Sequence, residues 1–248
     1  MPDQVQLKNA AIEKSSHIEY FNIAVSVDCV IFGYQEKQLK VLLIKSDLQE
    51  FEGMWSLIGD LVKPNEDIEH ASYRVLKQRT GLEDVYLEQV YAFGGVHRHP
   101  SGRVVTIAYY ALVNVNCHRL KLADYHLHWY PVKELAEMAF DHKAILYTCL
   151  KRLQVRIMEE PIVFNLLPEK FSLRALQDVY EAILGTELDR RNFRKRINLK
   201  NWLVDLDQME ADVPHRPGKL YSLDPQLNNY GKKQIAPHTA ASSGMNLR

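Results

Sequence analysis

A chain of 248 residues that sets 31 Lys+Arg against 31 Asp+Glu carries no formal net charge. It is long enough for two modest domains with separate cores. It has no overall field to draw it to nucleic acid or to an anionic membrane, so any such signal must be local.

No apolar run approaches the ~18 residues of a membrane span. The polar, acid-containing segment 1–17 is unlike a signal peptide. A cytoplasmic protein with no membrane partner is the expectation. Cys29, Cys117 and Cys149 show no metal-ligand spacing and read as reduced core residues.

In chain order, residues 1–19 form an N-terminal extension. Residues 23–32 and 39–45 are apolar runs flanking Gly33-Tyr34-Gln35-Glu36, a pattern that predicts a hairpin around that turn. Asp28 interrupts the first run, and an unpaired carboxylate there is costly. It requires either a buried partner or a ligand.

Trp55, in the short apolar stretch 54–59, suits a core position. Ile68, Ala71, Val75 and Leu76 then fall at helical spacing, with Gly81-Leu82 as a stop. Strands are predicted over 85–93 and 103–115. The turn between them, Gly94 to Gly102, carries His97 and Arg98, which are either cleft residues or an ordinary surface loop. A further strand over 127–132 and a helix over 141–156 follow. Ile145, Leu146, Cys149, Leu150 and Leu153 share one face of that helix.

Met158-Glu159-Glu160-Pro161 is the predicted boundary, since proline removes helix from the residue before it. Ser172 can cap a helix to about Leu184, with Leu173, Leu176, Tyr180 and Ile183 as its stripe and Gly185 as its stop. Asp189 can cap a second helix to about Leu199, burying Phe193 and Ile197. Two short strands over 202–206 and 219–223 complete the order of a winged helix-turn-helix. Beyond Asp224 the apolar pattern is lost, and residues 225–248 read as a disordered tail.

The second of these helices concentrates the charge that the whole chain lacks: Arg190, Arg191, Arg194, Lys195, Arg196 and Lys200, with no acid among them. Cations docked on a duplex release condensed counterions. Arginine forks match guanine edges, and Asn192 could match adenine. Arg190, Arg191, Asn192 and Lys195, near the helix start, are the expected base readers. Arg194 and Arg196, with Arg216 and Lys219 on the wing, are the expected phosphate contacts. A merely solvated basic face is the bland alternative.

The stretch from Gly59 through Glu66 and Arg74 to Gly81-Leu82 resembles the Nudix box of pyrophosphohydrolases, whose spacing it keeps. Asp60 stands at the first glycine of that box. Val75, Gln78 and Arg79 stand where the resemblance calls for magnesium-binding carboxylates. Magnesium needs hard oxygen ligands, so a dismantled catalytic centre is implied: no catalytic residue, metal or cofactor, and Glu66 left as a possible effector contact.

A degenerate Nudix domain followed by a winged helix is similar to the NrtR-like family of Nudix-related transcriptional regulators. Residues 161–168, 189–196 and 216–221 are the most telling stretches. The resemblance implies an α+β, two-domain chain: a Nudix-like α/β/α sandwich over 20–157 and a winged helix over 158–224. It also implies a homodimer on a palindromic operator in double-stranded DNA, controlled by a small molecule in the former catalytic cleft. ADP-ribose fills that role in one branch of the family and L-arabinose in another. The pattern around Leu87-Glu88-Gln89-Val90 and residues 103–112 resembles the arabinose branch more. Asp28, Trp55, Glu66, His97 and Arg98 are the expected effector contacts. The rival reading is a true Nudix hydrolase acting on a nucleoside diphosphate derivative such as ADP-ribose.

Overall fold

The structure, a computed structural model, describes residues 22–116, 127–211, 216–227 and 230. The predicted extension 1–19, most of the predicted tail, Cys117 and residues 212–215 lie outside them.

The chain opens with β1 (Ala24–Gln35) and β2 (Gln38–Lys45), an antiparallel pair whose last partners are Gln35 and Gln38. The turn is therefore Glu36-Lys37, both with positive φ, rather than the predicted Gly33–Glu36. Gly33 is a glycine for a different reason. The Trp129 ring packs so closely that a Cβ would meet it at 2.7 Å.

β3 (Trp55–Ser56) and β4 (Ile58–Leu61) lead into α1 (Ile68–Thr80). Gly81 ends that helix in the left-handed region at φ 75°. β5 (Tyr86–Phe93), β6 (Val104–Val113) and β7 (His128–Pro131) complete one mixed sheet, in which β1 runs parallel to β6.

Both faces of this sheet are covered, which is why β1 shows no polar alternation. Val27, Cys29 and Ile31 face α1 and pack on Ala71, Val75 and Leu76. Val30 and Phe32 belong to the opposite face and its core, which includes Ile145, Leu146, Cys149, Leu153 and Ile157 of α2 (His142–Glu159). The period of two puts Asp28 on this α2 side. Cys29 and Cys149 are buried and free, and burial pushes both thiols up.

Glu160 ends α2 in extended backbone before Pro161, as the proline demands. The expected boundary is not a loose linker, however. Residues Pro161–Leu166 form a 3-10 turn with Ile162 and Val163 fully buried. One apolar core runs on from there into the C-terminal elements, through Leu176, Tyr180, Phe193 and Trp202.

Those elements are α3 (Leu173–Leu184), α4 (Arg190–Leu199), β9 (Leu203–Met209) and β10 (Lys219–Leu223). The Ser172 hydroxyl accepts from Ala175 N, the Asp189 carboxylate accepts from Asn192 N, and Gly185 closes α3 in the left-handed region. Phe171–Ser172 adds a two-residue strand, β8, on the free side of β10. The winged helix is tied to its neighbour by polar contacts as well. Tyr180 OH donates to Ile157 O at 2.8 Å, Gln154 Nε2 donates to Ile183 O at 2.9 Å, and Lys37 pairs with Asp178 at 3.3 Å.

Candidate functional site

A cleft of about 820 Å³ opens at the end of the sheet where β1, β4, the start of α2 and the 94–103 loop meet. That volume is in the range of small-molecule sites. Asp28 forms part of its wall and is 6% exposed.

Two partners approach the same carboxylate oxygen, Oδ2. Thr106 Oγ1 donates to it at 2.7 Å, and the Arg98 guanidinium lies 3.6 Å away. Arg98 is itself clamped by two bonds to Asp141, at 2.9 and 2.6 Å, which anchors the loop to the residue preceding α2. Gly59 pairs with Asp28 across β1 and β4, and its missing side chain leaves room for that carboxylate.

His142, the first residue of α2, completes the group. Leu57 N donates to its Nδ1 at 3.0 Å, with Ser56 Oγ at 3.1 Å. A ring nitrogen that accepts from a backbone N–H has no proton of its own. The proton therefore sits on Nε2, which faces Asp28 Oδ1 at 3.8 Å. Burial holds the imidazole below its ordinary pKa, against the pull of Asp28 and Asp141. Phe140 lies beside it with φ 54°, stacked on His99 at 5.0 Å between centroids. A bulky residue in the left-handed region costs about 1–2 kcal/mol, and here it sets an aromatic surface into the cleft wall.

The rim is cationic. Lys45 donates to Gly53 O at 2.6 Å and lies 3.7 Å over the Trp55 ring, while Arg103 donates to the carbonyls of Gly94 and Gly95. Neutral oxygens leave both charges available to an anion. Arg79, in the last turn of α1, also lines the cleft.

On the winged helix, Phe193 and Ile197 bury one side of α4. At 3.6 residues per turn, Arg191 and Lys195 lie on the side opposite to them, together with Asn198, which the sequence reading did not single out. Asn192 and Arg194 flank this face and are exposed. Arg190, three residues before Phe193, lies on the side of the buried stripe and is exposed only at the helix start, so it is not among the outward-facing readers expected from the sequence. Arg196 is exposed too but turns back, with Nη2 at 3.9 Å from Met158 Sδ. In the wing, Arg216 is exposed and Lys219 pairs with Asp205 at 3.0 Å.

Residues 22–152 match the NUDIX domain family, and residues 163–223 match the NrtR DNA-binding winged helix domain. The chain is 31% identical over 208 residues to the ADPR responsive transcriptional repressor NtrR of Acinetobacter baylyi, covering 82% of this chain and 83% of that one. The chain belongs to the NrtR-like family of Nudix-related transcriptional regulators.

A crystal structure of Shewanella oneidensis NrtR complexed with a 27mer DNA is similar to it, with TM-score 0.73 and 30% identity, covering 82% of this chain and 94% of that one. An ADP-ribose pyrophosphatase from Methanocaldococcus jannaschii is 32% identical over 129 residues, covering 51% of this chain and 73% of that enzyme.

For a member of this family, the box positions decide whether a divalent metal fits. Val75 is fully buried in the core, Gln78 is exposed, and Arg79 brings a cation to the cleft. Arg74 holds Glu66 through two bonds of 2.7 and 3.0 Å and reaches Asp60 at 3.1 Å. This pairing keeps the Glu66 carboxyl below the usual carboxylate range. Among the described residues, no group of three His, Cys, Asp or Glu is placed to share an ion. These residues do not fit magnesium.

Of the expected effector contacts, Asp28 and Arg98 stand in the cleft wall. Three others do not. Glu66 is occupied by Arg74, and Trp55 packs against Tyr130 and His128 beneath Lys45. His97 is exposed on the loop, and it is His99 that turns inward. His142, Phe140 and Thr106 were missed. Each sits in a different part of the chain from Asp28, and neither spacing nor composition links them to it.

Proposed function

We propose that this protein is a DNA-binding transcriptional regulator whose Nudix domain, residues 20–157, binds an effector of the ADP-ribose class and controls operator binding by the winged helix, residues 158–224. The observation that carries this reading is the path of α2. It starts in the cleft wall, where Asp141 holds Arg98 and His142 meets Asp28, and it ends against α3 through the Tyr180 and Gln154 bonds. Eighteen residues make a rod of about 27 Å. A ligand that favours one placement of the α2 start thereby biases the placement of α4. It does so only by as much as it binds that placement better.

The cationic rim and the His99–Phe140 surface suit a diphosphate and a base. L-arabinose carries no charge for that rim, and the relatives with named ligands speak of ADP-ribose, so the arabinose reading loses its support. Two winged helices in a homodimer would read the two halves of a palindrome. A duplex selected from a random pool by the full chain tests the DNA arm. Binding should weaken steeply with salt and with Arg191→Ala, and indifference to both would sink it.

The second reading, hydrolysis of ADP-ribose, draws on the similarity to the Methanocaldococcus jannaschii enzyme. It would have to work with Glu66 locked to Arg74. Incubation with ADP-ribose and magnesium decides it, since fast turnover lost in Glu66→Gln would make the chain an enzyme.

A further inference from the structure

We infer that Leu199 determines part of the operator sequence: at the end of α4 it covers the methyl group of a thymine in the major groove. This deepens the operator reading above and rests on α4 being the helix that enters the groove.

Leu199 is 73% exposed, and among the described residues no large apolar side chain is more exposed. Phe193 and Ile197 already supply the buried side of α4. At 3.6 residues per turn, Leu199 stands about one turn beyond Lys195, on the side away from that buried pair. Lys200, the next residue, turns instead toward the Trp202 ring, 5.0 Å from its centroid. The outward face therefore runs from Arg191 through Lys195 and Asn198 and closes on a leucine. Its length, eight residues at about 1.5 Å each, spans roughly three to four base pairs.

A lone surface leucine elsewhere would need no function. This one shares its face with the cations placed to dock a duplex. Phosphates offer an aliphatic side chain nothing. The major-groove edge of thymine offers a methyl, which apolar side chains read. Removing one such group from water is worth about fourfold in affinity.

The test uses the full chain and the duplex it selects from a random pool. Thymines are replaced singly by deoxyuridine, which lacks only the C5 methyl. At one thymine or more, the unsubstituted chain should bind about threefold or more weakly after replacement. Leu199→Ala, already weakened on the unmodified duplex by a similar factor, should not respond at that position. Replacement effects of equal size in both proteins overturn the proposal, as do no effect at any position and a selected site without thymine. Arg191→Ala then separates the two readings. If it weakens binding, α4 remains the reading helix and only the role of Leu199 falls. If it too is silent, the operator reading falls as well. Should Leu199→Ala fail to fold, Leu199→Gln, which keeps the length and loses the apolar end, takes its place in the same comparison.

Discussion

Asp28 and Gly59 face each other across β1 and β4, and the carboxylate of one occupies the space where the other would carry a side chain. A methyl at residue 59 would collide with Asp28 Oδ1 and sit 2.9 Å from Val27 O. Neither neighbour can move freely, because Thr106 holds the first and strand pairing holds the second. Gly59→Ala should destabilise the chain by about 1–3 kcal/mol, the usual scale of overpacking, and weaken ADP-ribose binding. Thermal melting and calorimetry check the two effects, and a variant with unaltered melting and binding would show that the contact matters little.

His142 makes stability depend on pH. Its folded pKa lies below the ordinary imidazole value of 6.5, with burial as the largest cause. Above 6.5 the ring is neutral in both states, and its contribution is fully present. As pH falls through 6.5 the unfolded chain takes the proton first, so stability declines. The melting temperature should fall between about pH 7.5 and about pH 5.5, and less steeply in His142→Gln, which keeps an acceptor for Leu57 N. Parallel slopes would remove His142 from the account.

On α4 the geometry separates residues that composition cannot. Arg191 and Lys195 point away from the buried Phe193 and Ile197, whereas Arg196 leans on Met158. Arg191→Ala should cost about 1–3 kcal/mol of discrimination among duplexes. Lys195→Ala, on the same face, should likewise cost discrimination and also lower the salt slope by about one. Arg196→Ala should do less than either. Anisotropy titrations across a salt series rank the three, and an Arg196 effect larger than that of Arg191 would reverse the assignment of faces.

These contrasts mark where sequence runs out. Ser172, Asp189, Gly81 and Gly185 act on backbone within a few residues of themselves, so helix starts and stops were legible. The lost carboxylates at Val75, Gln78 and Arg79 were legible because a fixed spacing carries them. Gly33 was misread as a turn because its true constraint, Trp129, is distant in the chain. The cleft was half legible for the same reason. Asp28 betrays itself as a charge in an apolar strand, but Thr106, Phe140 and His142 are ordinary residues until the fold gathers them. Strand β8, two residues long, carries no pattern of its own.

The central claim is that the cleft and α4 are coupled through α2. Its most direct test is fluorescence anisotropy of the full chain on its selected duplex, at fixed salt, without and with saturating ADP-ribose. The account predicts a change in Kd of about fivefold or more, the lower end of ordinary allosteric coupling. It also predicts that Arg98→Ala, which releases the loop from Asp141, reduces that change. Superimposable curves from protein that calorimetry shows to be fully loaded with ADP-ribose would contradict it.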